Sequence, residues 1–217
     1  MNSSIRPRCA AFAAVASLSL AACGGGAVKE KASAEGQVET STTVKPPKVK
    51  VAKNLDELAK AISISSPEGY LQQPDQVGDT GPSDIVKAAK DDGGPDAQDF
   101  LARTGFLRGY QRMWSRSESD DFIIYLYQFG DSAGAAQYTK RLTTEATTPT
   151  SDVTLGQFEL PDIDGAVGVN ATEKTSATSS VTFIKGPYSV QVVVNGASLT
   201  GLQSLATALA EEQYSRL

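Results

Sequence analysis

Hydrophobic positions along the chain change their period twice, and those changes define its organisation. Residues 9–22 form one uncharged, Ala-rich run, and between residues 24 and 53 no apolar cluster of any period occurs. Leu55, Leu58, Ala59 and Ile62 then recur at helical spacing. Asn54 stands where a cap is needed and Glu57 follows three residues later, which predicts a short amphipathic helix ended by Pro67. Residues 65–82 read as loop. Two short helices are expected between residues 83 and 104: Ser83 caps the first, Gly93-Gly94-Pro95 separates them, and Gly105 closes the second after Phe100 and Leu101.

From Gly105 onward the period falls to two. Residues 106–116 and 121–129 read as strands of a hairpin joined by the polar turn 117–120. A helix over 132–145 follows, with Ala135, Tyr138 and Leu142 on one side. Strands are then predicted at 166–173, 181–185 and 188–194, before Ser198 caps a helix carrying Leu199, Leu202, Leu205, Ala206 and Leu209. The order strands-then-helix thus occurs twice, and Gln137-Tyr138-Thr139-Lys140 is echoed by Gln213-Tyr214-Ser215-Arg216. The fold class this predicts is α+β, an antiparallel sheet with helices packed on it. That order of elements is similar to the PsbP/Mog1-like folds of several bacterial lipoproteins.

The uncharged run follows Arg6 and Arg8 and ends in Leu20-Ala21-Ala22-Cys23, which resembles the lipobox of bacterial prolipoproteins. The resemblance implies that a diacylglyceryl group is joined to the sulfur of Cys23 and that cleavage just before it makes Cys23 the mature N-terminus. The residues support an export signal by themselves. Two positive charges precede the run, small residues sit at its end, and its 14 residues fall short of the roughly 20 needed to span a bilayer. The Ala-rich signal and the start Cys23-Gly24-Gly25-Gly26 also resemble actinobacterial lipoproteins. The chain is therefore expected to comprise a signal peptide (1–22), a lipidated cysteine with a disordered tether (23–53), and one globular domain (54–217). Its acyl chains would hold it on the extracytoplasmic face of the cell membrane.

Charge separates tether from domain. Residues 24–53 carry six Lys against three Glu, a net +3, whereas residues 54–217 carry 12 Lys and Arg against 22 Asp and Glu, a net −10. A body this acidic is not expected to bind nucleic acid or anionic lipid non-specifically, while the basic tether suits a negatively charged leaflet. As a flexible coil the tether would reach about 30 Å. A monomer is expected.

Composition also removes chemistry. Cys9 lies in the signal and Cys23 carries lipid, so the domain has no thiol, and the chain has no histidine. Disulfides, thiolate nucleophiles, Cys-ligated zinc and Ser-His-Asp catalysis are excluded from it. No cofactor motif is present. The acidic clusters at Asp91, Asp92, Asp96 and Asp99 and at Asp162-Ile163-Asp164-Gly165 complete no calcium loop and read as caps and turns.

One constellation remains as candidate chemistry. Along the first strand of the hairpin, Phe106, Arg108, Tyr110, Arg112, Trp114 and Arg116 share a face, as do Ile123, Tyr125, Tyr127 and Phe129 on the second. Pairing like with like gives an aliphatic face, the expected seat of both long helices, and an aromatic-arginine face. Arg108, Tyr110, Arg112, Trp114, Tyr125 and Tyr127 are then candidate ligand-binding residues, with rings to stack on a flat ligand and guanidinium groups to grip carboxylate or phosphate. The opposing expectation is that the early helices cover this face. Three functions stay open: a non-enzymatic binding or accessory lipoprotein of the cell envelope, with a small-molecule, glycan or protein partner; a histidine-free envelope hydrolase; and a structural protein that docks an envelope partner.

Overall fold

The computed structural model describes residues 49–217. Cys23, the signal segment and all but the last five residues of the tether lie outside the described residues. Helix α1 (Leu55–Ala61) starts where the spacing places it, because the Asn54 side chain accepts a hydrogen bond from the Glu57 backbone N–H at 2.9 Å. The segment read as loop holds two short strands, β1 (Leu71–Gln72) and β2 (Gly81–Ser83). Ser83 therefore belongs to a strand, and Asp84 caps α2 (Ile85–Asp92) by accepting from the Lys87 N–H at 2.9 Å. Gly93 ends that helix with φ of 76°, a left-handed conformation that costs glycine little. Helix α3 (Ala97–Arg103) follows.

Strands β3 (Phe106–Ser117) and β4 (Asp120–Phe129) form the expected hairpin, with a turn of two residues instead of four. Helix α4 (Ser132–Thr147) is capped by Asp131, whose carboxylate accepts from Gly134 N–H. Strand β5 (Thr154–Phe158) was not expected. It precedes β6 (Val167–Thr172), β7 (Ala177–Lys185) and β8 (Tyr188–Gly196). Helix α5 (Leu202–Arg216) begins four residues later than the capping signal at Ser198, because Gly201 has φ of 79° and a right-handed helix cannot pass through it.

All strands join one antiparallel sheet in the order β1-β3-β4-β8-β7-β6-β5, with β2 beside β3. The two strands-then-helix units meet at the β4–β8 ladder, from Asp121 opposite Asn195 to Gln128 opposite Tyr188. The long helices do not share a face. Val190, Val192 and Val194 of β8 and Phe183 of β7 pack with Leu202, Ala206, Leu209 and Ala210 of α5. Ile184 of β7 points the other way, into the cluster of Tyr127, Phe129, Ala135 and Tyr138 that seats α4. Thr139 Oγ1 lies 2.7 Å from Ser189 Oγ on that same side. Helices α1 and α5 thus cover one face, and α2, α3 and α4 the other. Central strands buried on both sides need apolar residues at successive positions, which explains the run Phe122-Ile123-Ile124 in β4.

Side chains from β3 and α5 hold the C-terminal end of α1 to this scaffold. Arg112 donates to the carbonyls of Ala59 and Ser63, Gln213 to that of Ala61, and Arg216 to that of Lys60. Those of Ala59, Lys60 and Ala61 are carbonyls that a helix leaves without intrahelical partners at its C-terminal end, and Ser63 lies just beyond the cap Ile62.

Candidate functional site

Cross-strand register decides which side chains can cooperate. In the β3–β4 ladder Tyr110 lies opposite Leu126, Arg112 opposite Ile124 and Trp114 opposite Phe122. Opposed residues share a face, so Tyr125 and Tyr127 fall on the side of Gln111 and Gly109, away from Arg112 and Trp114. The expected pairing of like with like is off by one residue, and the six candidates are divided between the two faces. Phe106 also changes side. A bulge between Phe106 and Arg108 lets its ring meet Tyr127 and Phe129 at 5.5 and 5.8 Å.

Each candidate has a definite setting. Trp114 is completely buried, stacked on Phe122 with ring centroids 4.6 Å apart. Arg112 is tied to α1 and lies 5.5 Å from the Tyr110 ring, as the covering expectation held. Tyr110 donates its hydroxyl to Asp75 Oδ2 at 2.7 Å, and burial followed by that contact raises its pKa. Tyr125 is half-buried with its ring edge-on to Tyr127 at 6.1 Å. Tyr127 is 3% exposed. It donates to Asp91 Oδ2 at 3.1 Å and accepts from Gln111 Nε2 at 2.7 Å. Burial holds the Tyr127 hydroxyl well above its ordinary pKa and also raises that of Asp91.

Of the six, Arg108 lines a shallow surface cleft. This cleft of about 290 Å³ lies between α1, β2, α2 and the start of β3, where Leu55, Pro82, Asp84, Lys87 and Leu107 complete its walls. Arg108 donates through Nη1 to Lys53 O at 2.8 Å, and Lys87 through Nζ to Asp79 O at 2.9 Å. Burial lowers the Lys87 pKa. Leu55 and Leu107 remain 41% and 53% exposed. The cleft therefore sets Arg108 beside exposed apolar surface, while Lys87 faces Asp84 of the same wall and lies near Asp75, Asp79 and Asp91. Sequence reading names Arg108 as a candidate, but on a sheet face with the other five; its neighbours here, Leu107, Leu55 and Lys87, are brought to it by elements that meet only in the fold.

The acidic clusters fold as caps and clamps. Arg141 of α4 grips Asp92 in a bidentate pair at 2.8 and 3.0 Å, holds Asp96 at 2.8 Å and Glu145 at 3.2 Å, and covers the Phe100 ring at 4.9 Å. This joins α4 to α2 and α3. The segment around Asp162 and Asp164 lines a second concavity of about 520 Å³, with Ile163 buried beneath it. Among the described residues no group of three or more His, Cys, Asp or Glu is placed to hold a metal ion. No helix among them is long and apolar enough to cross a membrane.

The fold and its surfaces define an α+β domain, an eight-stranded antiparallel sheet between two layers of helix. No protein-family model and no curated protein matches the chain. Among solved structures the fold is similar to the crystal structure of the extracellular domain of PknH from Mycobacterium tuberculosis. The TM-score is 0.52 with 11% identity, over 76% of this chain and 97% of that one. At this identity the likeness is one of fold.

Proposed function

We propose that the protein is a membrane-anchored extracytoplasmic lipoprotein that acts as a non-enzymatic binding or accessory protein of the cell envelope. The observation that carries this reading is the lipobox-like Leu20-Ala21-Ala22-Cys23, followed by a tether without core-forming residues. The fold supports it, since a domain of the same architecture is extracellular in PknH. In this reading Cys23 carries the lipid, and the domain works within the tether's reach of the membrane.

The cleft beside Arg108 is the binding site in this reading. Arg108 would hold an anionic group there, with an apolar portion of the ligand against Leu55 and Leu107. Asp92, Asp96 and Glu145 converge on Arg141, which binds all three and ties α4 to α2 and α3, so they serve the scaffold. A thermal-shift screen of anionic amphiphiles tests the site, because a ligand of the native state raises its melting temperature by mass action. A ligand that stabilises the wild type should lose at least tenfold in affinity with Arg108→Ala, as expected for one charge-assisted contact. Equal affinity for the two proteins would remove the cleft from the reading.

A further inference from the structure

We propose that the outer edge of β5 docks an extended polypeptide segment bearing lysine or arginine, which adds to the sheet as one further strand and seats a side chain in the concavity beside Phe158. Strand β5 ends the sheet and pairs with β6, from Thr154 opposite Thr172 to Phe158 opposite Gly168. Alternate residues of such a strand turn their N–H and C=O groups outward, and among the described residues no hydrogen bond reaches them there. Thr154, Gly156 and Gln157 are exposed, and a Cβ at Gly156 would meet nothing within 4 Å. Sheet edges are ordinarily blunted by short strands, proline, lysine or bulges. The opposite edge of this sheet is blunted in that way: β1 has two residues, and β2 has three with Pro82 in the middle. By contrast β5 has five residues without proline or charge, and its ladder with β6 runs without a bulge.

The concavity of about 520 Å³ begins where this open edge ends. Gln157 and Phe158 of β5 continue into its wall, above the buried side chains of Leu160 and Ile163. Strand addition of this kind takes affinity from main-chain hydrogen bonds and selectivity from pockets that receive alternate side chains. Charge identifies the occupant. Glu159 and Asp164 line the concavity and no cation does, while Asp152 before the strand and Asp162 after it are exposed. Among the described residues none of these four takes part in an ion pair. Residues 142–173 hold six acids and no Lys or Arg. Of the cations on β7 and the turns beside it, Lys185 donates through Nζ to Tyr214 O at 2.6 Å, and Lys174 stands next to Glu173 at the Thr172 end of β6, away from the concavity. A segment carrying Lys or Arg is therefore attracted, whereas a second copy would set the same acids against these and is repelled.

The test titrates the unlipidated chain 24–217, isotope-labelled for amide NMR, with a short capped peptide of alternating lysine and valine. Amide signals of residues 154–158 and of the concavity should shift, and the outward amides of β5 should exchange more slowly with solvent. Signals of α1 and of the start of β3, which hold the Arg108 cleft, should stay in place. Two altered peptides should each bind at least about tenfold more weakly: one with glutamate for lysine, through charge, and one methylated at every backbone nitrogen, through loss of its main-chain donors. Glu159→Lys with Asp164→Lys, both at exposed positions, should weaken the lysine peptide about tenfold and leave the melting temperature unchanged. Equal affinity for either altered peptide, shifts centred on another surface, or no shift at about 1 mM lysine peptide would overturn the proposal. So would a dimer formed through β5 in the absence of peptide. The proposal uses neither the lipid anchor nor the Arg108 cleft, so its failure leaves both to be judged by their own tests.

Discussion

Arg112 donates through Nη2 to the carbonyl oxygen of Ala59 at 2.8 Å, joining the middle of β3 to the last turn of α1. A second bond through Nη1 reaches Ser63 O at 3.2 Å, so one guanidinium serves a carbonyl of the last turn and one just beyond the cap, and places a cation at the negative end of the helix. The residue that looked most suited to gripping a ligand is therefore a bracket for the helix that covers it.

Arg112→Ala should destabilise the fold by about 2 kcal/mol, because two partly buried carbonyls lose their charged donor. For a domain of this size the melting temperature falls by about 5 °C. Thermal denaturation followed by circular dichroism checks this. An unchanged midpoint would mean that the bonds to α1 contribute nothing to stability.

Trp114→Ala removes a ring with no exposed surface, stacked on Phe122 and close-packed with the α1 side of the core. The expected loss is about 3 to 5 kcal/mol, read from chemical denaturation. A loss below about 1 kcal/mol would contradict the burial of this side chain.

Much of this architecture is legible in the sequence, and the errors have identifiable causes. Asn54 with Glu57, the hairpin at residues 106–129 and the apolar stripe of the last helix each carry a local signal. Register carries none. The pleat shows which residues of one strand share a face, but the face of Trp114 and Arg112 could be joined to either set on β4, and similarity of type chose Tyr125 and Tyr127. Packing chose Phe122, Ile124 and Leu126, which complete one continuous cluster with α1 and α5. Strand β5 was missed because Thr154-Leu155-Gly156-Gln157-Phe158 lies at the sheet edge, where neither face must be apolar. The cleft was invisible because Leu55, Lys87 and Leu107 meet only through the tertiary fold.

Alkaline pH should unfold the domain through its tyrosines. In the unfolded chain a tyrosine ionises near pH 10. Burial keeps Tyr127 and Tyr138 protonated far above that value, and Tyr70 is pushed up to about 12 by burial and by its bond to Asp120. The stability linked to these groups is fully present below pH 10 and is lost as the pH climbs toward the folded values. Absorbance at 295 nm should show that these three tyrosines ionise only together with the loss of secondary structure. Free titration of all tyrosines near pH 10 in the folded protein would contradict it.

Gly134→Ala should prevent stable packing of α4. A Cβ at this position would stand 2.0 Å from the carbonyl oxygen of Thr104, a backbone atom that a rotamer change cannot move. Gly156→Ala makes the control, since nothing lies within 4 Å of a Cβ there. The first variant should lose more than about 3 kcal/mol by overpacking and the second less than about 0.5. Similar midpoints for both would contradict the close approach of α4 to the end of α3.

The anchor at Cys23 is the claim on which the functional reading depends. Mass spectrometry of the N-terminal peptide from membrane-purified protein tests it most directly. The peptide should begin at Cys23 and carry a diacylglyceryl group on its sulfur, and Cys23→Ala should abolish both features and release the protein from the membrane fraction. A mature chain that retains residues 1–22, or that begins elsewhere with an unmodified Cys23, would contradict the lipoprotein reading.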